Sequence, residues 1–409
     1  MNPRCERSGL VGGDMIRWSE LFVLSILLVA AARPGGAQDP PRLDDPGTYR
    51  RPKLPSTADP NDWEGYFDYG VAQLRRDARK AEAAFYWASR IDPSRAEPLY
   101  ARWVAYWMRF PGWFEEYVEE RPRVLESPNI IQVDSLYQRA LFRNPLTPRT
   151  LHILLYDQLP GRWGFDPLTL AVLDYGAGKF DAAAAQFGKL VRDDPVQRYR
   201  VRYWQALCFT ATQRYDSAAS EVAALLEELR RRDEKRLTYW YESKELLEYS
   251  LGLLQLARGN RAAARTALQQ ALVENLAFYP AHAALGDVAL DTGDPASALS
   301  EYAQAVELGG DDVGVRHRYA DALTQAGRYD EAEQQLRKAI ELEPLFAPPY
   351  FTLGTVLEAR GLPEQARAAY GDYVQRAPSL AALIPLAQAR VAALSGAKAD
   401  SGGAKPRDR

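Results

Sequence analysis

Residues 353–370 read Leu353-Gly354-Thr355-Val356-Leu357-Glu358-Ala359-Arg360-Gly361-Leu362-Pro363-Glu364-Gln365-Ala366-Arg367-Ala368-Ala369-Tyr370, and the pattern recurs upstream every 34 residues. Leu353-Gly354 aligns with Tyr319-Ala320, Leu285-Gly286 and Leu251-Gly252, and Gly361 with Gly327, Gly293 and Gly259. Ala366 matches Ala332, Ala298 and Ala264, and Tyr370 matches Leu336, Tyr302 and Leu268, while Pro344 and Pro378 close two of the units. Matched columns in four consecutive units define a repeat. Small residues let two helix backbones approach, glycine supplies a turn, and proline stops a helix. Each unit is therefore a helix hairpin with one unsatisfied apolar face, and such hairpins stack into a solenoid.

This pattern resembles the tetratricopeptide repeat (TPR) family, exported bacterial type. The resemblance implies an all-α, right-handed superhelical solenoid whose concave groove holds an extended peptide or a helix of a partner. Weaker units lie upstream at Leu170-Ala171 with Gly178 and Phe187, and at Gln205-Ala206 with Tyr215 and Ala218. Residues 164–379 thus form six repeats. Residues 63–163 read as two degenerate hairpins, broken by an aromatic insertion at 107–131 and an irregular connection at 146–163. The total is about eight hairpins, and residues 380–395, with Leu383, Leu386, Val391 and Leu394 as an apolar stripe, suit a capping helix. The Arg-Arg-Arg-Asp-Glu-Lys-Arg run near residue 233 lengthens a helix into solvent.

Both ends read differently. Arg4, Arg7 and Arg17 precede the apolar run Leu21 to Ala32, which is shorter than the roughly 20 residues needed to cross a bilayer. With Gly35 and Ala37 after it, residues 1–37 read as a signal peptide cleaved after Ala37, or after Ala32, with Met15 as an alternative start. The expected setting is the periplasm or the exterior, with an uncleaved anchor as the alternative and no stable span after cleavage. Residues 38–62 are proline-rich and polar, a linker with little to bury, and 396–409 read as a disordered tail.

Composition narrows the chemistry. The net charge of −3 supplies no basic field for nucleic acid. Two cysteines, Cys5 and Cys208, and three histidines, His152, His282 and His317, are too few for a disulfide scaffold or a Cys/His metal site. Cys208, between Leu207 and Phe209, reads as a buried apolar residue. No nucleophile elbow, zinc-binding helix or phosphate loop occurs, so catalytic residues, metal and cofactor are all expected to be absent.

The resemblance maps the groove onto positions two, five, nine and twelve of each first helix. These are Arg200, Tyr203, Leu207 and Thr210 in hairpin 4, and Leu246, Tyr249, Leu253 and Leu256 in hairpin 5. They continue as Pro280, Ala283, Asp287 and Leu290, then Gly314, His317, Asp321 and Thr324, and end with Phe351, Thr355 and Glu358; Asp291 lies beside them. The lining runs from aromatic to acidic and suits a protein or peptide partner with basic and apolar side chains. Tyr203 and Tyr249 fit the groove and the core equally well. Phe110, Trp113 and Phe114 form a candidate accessory surface. Glycan binding there is one alternative function, and an enzyme site within 107–163 a lesser one.

Overall fold

The structure, a computed structural model, describes residues 48–112, 114, 128–156, 167–193, 198–233 and 243–401. Among these residues there are eighteen α-helices and no strand. Sixteen of them pair in chain order. Hairpin 1 joins α1 (Trp63–Gln73) to α2 (Ala78–Ile91), and hairpin 2 joins α3 (Glu97–Arg109) to α4 (Pro128–Arg143). A 3-10 turn (Thr150–His152) and the short α5 (Ile153–Tyr156) follow. Hairpin 3 is α6 (Pro167–Gly176) with α7 (Phe180–Asp193), and hairpin 4 is α8 (Arg198–Ala211) with α9 (Tyr215–Asp233). Hairpin 5 is α10 (Lys244–Ala257) with α11 (Arg261–Glu274), and hairpin 6 is α12 (Tyr279–Asp291) with α13 (Pro295–Leu308). Hairpin 7 is α14 (Val313–Gln325) with α15 (Tyr329–Leu342), and hairpin 8 is α16 (Pro348–Ala359) with α17 (Pro363–Arg376). The last helix, α18 (Ile384–Ser401), packs on α17 as a cap. The expected solenoid of about eight hairpins is what the chain forms.

The repeat columns have visible causes. A Cβ at Gly354 would lie 2.7 Å from the Tyr370 ring, and one at Gly286 would lie 2.9 Å from Tyr302. The small column and the bulky column are thus two halves of one helix crossing. Gly178, Gly259, Gly293, Gly327 and Gly361 all turn at φ of 72–74°. In the last of these turns Gly361 N–H donates to Glu358 and Leu362 N–H to Leu357, satisfying carbonyls at the end of α16.

Hairpin 4 has Gln213 at this turn, with φ of 58°. Left-handed backbone costs an L-residue roughly 1–2 kcal/mol, while glycine costs roughly 0.5–1 kcal/mol in unfolded-state entropy. Gln213→Gly is therefore expected to stabilise the protein by about 0.5–1 kcal/mol in urea unfolding. A loss of stability would show that the Gln213 side chain makes compensating contacts.

Four segments depart from expectation. Trp107 is not the start of an insertion; it lies inside α3 and is fully buried. The α4 helix begins at Pro128, within the stretch read as insertion. The linker is not bare chain over its described part. Tyr49 stacks on Tyr86 at 4.6 Å and donates to Glu82 at 2.8 Å, and the Arg51 guanidinium lies over the rings of Tyr66 and Trp87. Individual aromatic and cationic side chains anchor a segment whose average composition is polar. At the other end α18 stays helical through Ser401, past the point where apolar periodicity stops, because the Ala- and Lys-containing sequence favours helix. Residues 1–47, 113, 115–127, 157–166, 194–197, 234–242 and 402–409 lie outside the described residues, and with them the segment expected to be a signal peptide, Trp163 and the end of the basic run. Among the described residues no helix is long and apolar enough to cross a membrane.

The solenoid also closes on itself. Asn61 Nδ2 donates to the carbonyls of Gln375 and Ala377, and Ser379 N–H donates to Asp59 at 2.6 Å. Arg90 pairs with Glu343 at 2.8 Å, and Arg143 with Asp312. Hairpins 1 and 2, with the segment just before them, therefore lie against the connections leading into hairpins 7 and 8 and out of hairpin 8. Through Tyr249 and Phe278 the apolar core of the N-terminal hairpins runs on into hairpins 5 and 6.

Candidate partner-binding groove

Tyr203 and Leu207 of hairpin 4 do not face an open channel. Tyr203 is half-buried, and its hydroxyl donates to Pro145 at 2.8 Å. The buried Arg149 guanidinium donates to that hydroxyl and to Pro145, and lies over the rings of Tyr203 and Tyr137. Arg149 is the pin of the irregular connection, since its backbone N–H also donates to the Tyr175 hydroxyl and its carbonyl accepts from the Tyr100 hydroxyl. Leu207 is fully buried, and Thr210 bonds back to Ala206 within its helix. Arg200 lies on α8.

In hairpin 5 the filling is complete. Tyr249 is 6% exposed, with its ring edge-on to Phe278 at 5.5 Å and its hydroxyl donating to the Phe142 carbonyl at 3.4 Å. Leu246 is buried beside it, and Leu253 and Leu256 pack partly buried against the same core. Pro280 and Ala283 of hairpin 6 are buried as well. What fills this stretch is the end of α4. Phe142 stands perpendicular to Phe278 at 5.2 Å and to Tyr279 at 5.5 Å. Next to it Arg143 pairs with Asp312 and donates to the Pro93 carbonyl at 2.9 Å. The equal choice for Tyr249 thus resolves to packing, because the chain supplies its own occupant.

Further along, the face opens. Asp287 keeps 39% of its side chain exposed while accepting from Tyr302 and from Arg318, each at 2.5 Å. Asp291 is exposed and pairs with Arg261 at 3.1 Å. Asp321 keeps 38% exposure, accepts from Thr352 at 3.0 Å and lies 3.7 Å from His317. Burial holds the His317 imidazole below its usual range against the pull of Asp321, so at neutral pH it is an uncharged partner of Thr352. Phe351 sits edge-on to Tyr370 and Tyr373, and Thr355 is exposed. Asp287, Asp321, Phe351 and Thr355 therefore form one accessible strip across hairpins 6, 7 and 8. Tyr203 and Tyr249 are separated from it by packing.

The aromatic N-terminal region is mostly interior. Phe114 is not a surface residue: it is 4% exposed, with its ring 5.5 Å from that of Trp107. Phe110 is half-buried against Tyr106, and Trp113 lies outside the described residues. His152 stacks between Tyr100 and Trp103, with Nδ1 2.7 Å from the Tyr100 hydroxyl. Burial and the nearby Arg149 charge push it down to about 3, which keeps the ring neutral. Cys208 is fully buried and pushed up to about 12 by burial, an unreactive thiol.

Sequence reasoning passed over Phe142, Phe278, Tyr279, Asp312 and Arg318. Asp312 carried one local signal. It is the N-cap of α14, accepting from Val315 N–H at 3.0 Å, and an Asp just before an apolar helix start marks a cap. Its second role as the seat of a cation depends on hairpin 2, some 170 residues away in the chain.

Two family models, both described as Tetratricopeptide repeat, match this chain, one at residues 289–345 and the other at 168–236 and 249–313. The type IV pilus assembly protein PilF of Pseudomonas aeruginosa is 34% identical over 119 residues, covering 29% of this chain and 47% of PilF. Small glutamine-rich tetratricopeptide repeat-containing protein 2 of Mycosarcoma maydis is 30% identical over 106 residues, covering 26% of this chain and 30% of that protein. The chain thus spans less than half the length of either relative. Among solved structures, the APC/C hetero-tetramer Cut9–Hcn1 aligns with a TM-score of 0.46 at 16% identity, over 81% of this chain and 63% of that one. The structure of YrrB, described as a TPR protein with an unusual peptide-binding site, aligns with a TM-score of 0.39 at 19% identity, over 53% and 98%. Repeat columns, stacked hairpins and family matches agree: residues 168–236 and 249–345 of this chain are tetratricopeptide repeats, set within a solenoid of eight helix hairpins.

Proposed function

We propose that this protein is a non-catalytic scaffold of the cell envelope that holds an extended or helical segment of a partner along the first helices of hairpins 6 to 8. The observation that carries this reading is the accessible strip Asp287, Asp321, Phe351 and Thr355. It sets two partly exposed carboxylates beside an aromatic ring and an exposed threonine, whose hydroxyl bonds to the Phe351 carbonyl and to Tyr370, on successive repeats. An occupant with alternating basic and apolar side chains would complement that order. The N-terminal charge–apolar–small-residue pattern supports export, and the likeness to a protein named for type IV pilus assembly is in keeping with an envelope setting. The rings of the N-terminal hairpins are engaged in packing, which favours the groove over a glycan platform.

The test is a crosslinked pull-down from envelope and secreted fractions, with the tagged full chain as bait and the triple variant Asp321→Ala, Phe351→Ala, Thr355→Ala as control. A protein captured by the parent and reduced at least tenfold with the variant is the expected result. Equal capture by both baits would move the binding site off this strip.

A further inference from the structure

The contact between α4 and hairpins 5 to 7 has the form of a ligand in a groove. Two adjacent residues of α4 are read by residues from three successive repeats. The Phe142 carbonyl takes the Tyr249 hydroxyl of hairpin 5, and its ring lies edge-on to Phe278 and Tyr279 at the start of hairpin 6. Arg143 reaches Asp312 at the start of hairpin 7. The carbonyl at a helix C-terminus lacks an intrahelical donor, so Tyr249 satisfies a group that any helix end would offer. Asp312 is 6% exposed and already holds the N-terminus of α14 and the Tyr279 hydroxyl at 3.1 Å. The seat is thus a desolvated carboxylate beside an aromatic wall, matched in charge and shape to an aromatic residue followed by a guanidinium. The rest of the α4 apolar face, Val133, Leu136, Tyr137 and Ala140, stays within the N-terminal core. Phe142 and Arg143 are directed outside that core, onto hairpins 5 to 7.

The outer closure contacts are polar and few. Among the described residues they include the Arg90–Glu343 pair, the Arg90 bond to the Leu342 carbonyl and the hydrogen bonds of Asp59 and Asn61 to residues 375–379. Water and ions can replace such contacts at small cost, whereas the apolar crossings inside each hairpin have no such substitute.

We propose that Phe142–Arg143 is an internal occupant of a recognition seat formed by Tyr249, Phe278, Tyr279 and Asp312, and that the partner carries an aromatic–arginine pair that displaces it. This rests on the reading of the first-helix face as the binding groove. It names the partner's chemistry and makes the closed form a self-competed state, in which affinity falls by the fraction of molecules with the seat open.

The probe is a fluorescein-labelled peptide with the sequence of residues 134–145, Asp-Ser-Leu-Tyr-Gln-Arg-Ala-Leu-Phe-Arg-Asn-Pro, and a control peptide has Ala in place of its Phe and second Arg. Binding is measured by fluorescence anisotropy to the full wild-type chain and to full-length Arg143→Ala. The peptide is expected to bind Arg143→Ala at least tenfold more tightly than wild type, and the control peptide is expected to lose at least tenfold on that host. Adding Asp312→Asn to the host, which keeps the helix cap, is expected to abolish the gain. Circular dichroism checks the host; if Arg143→Ala loses helix, Phe142→Leu, which retains the ion pair, takes its place. Equal affinity for closed and opened hosts would overturn self-competition. Equal affinity of both peptides for the opened host would overturn aromatic–arginine recognition. Either failure leaves the strip at Asp321, Phe351 and Thr355 to be judged by its own pull-down, so the two readings fall separately.

Discussion

Arg143→Ala is expected to cost about 3 kcal/mol of stability. The substitution leaves Asp312 nearly buried without its cation, and breaking a buried pair by removing one partner typically costs about 3–5 kcal/mol. The lower end of that range applies here, because release of α4 would let water reach Asp312 and so cap the loss at the cost of undocking. Urea unfolding followed by circular dichroism checks the magnitude, and native-state hydrogen exchange locates it at the starts of α12 and α14. The double variant Arg143→Ala, Asp312→Asn is expected to recover part of the loss, since neutral Asn tolerates the seat and still caps the helix. A loss below about 0.5 kcal/mol, with no change in exchange, would show that hairpin 2 is held to hairpins 5 to 7 by the apolar contacts alone.

Trp107→Ala is expected to cost about 3–5 kcal/mol, the range for truncating a large buried aromatic. The ring is fully buried, 5.5 Å from Phe114, 5.5 Å from Tyr106 and 6.3 Å from Trp103. These neighbours are themselves rigid rings, which collapse poorly into a void, so most of the cavity term should persist. In a repeat protein the damage stays close to the lesion. Hydrogen exchange should rise in α1 to α4 and remain low in hairpins 7 and 8. Uniform loss of protection along the whole chain would instead show that closure makes the solenoid one cooperative unit, because Asp59, Asn61 and Arg90 tie the first hairpin to the last.

These two residues mark how far the sequence could be read. Trp107 follows Tyr106 at the end of a recognisable first helix, and only the lapse of the 34-residue register placed it outside. Part of its burial comes from the ring of Phe114, a contact that no periodicity encodes. Arg143 is a basic residue in a last helical turn, which a sequence reading assigns to the helix dipole and to solvent. Tyr249 shows the converse. It stands at a groove position of the register, and the register is correct, yet α4 occupies that part of the groove.

The sequence by itself determined the hairpin, its length and its stacking. Gly at the turn, a small residue facing a bulky one across the crossing, and Pro at the exit act within one repeat or between neighbours, where spacing along the chain equals spacing in space. It also marked Asp287, Asp321, Phe351 and Thr355 as first-helix face residues, since that follows from the same local register. Only the tertiary structure decided which part of that face is open. Arg143 with Asp312, Arg90 with Glu343 and Asp59 with Ser379 join positions 169, 253 and 320 residues apart. Whether such residues meet depends on the summed rotation of every hairpin between them and on the irregular connection pinned by Arg149, and no local pattern carries that sum.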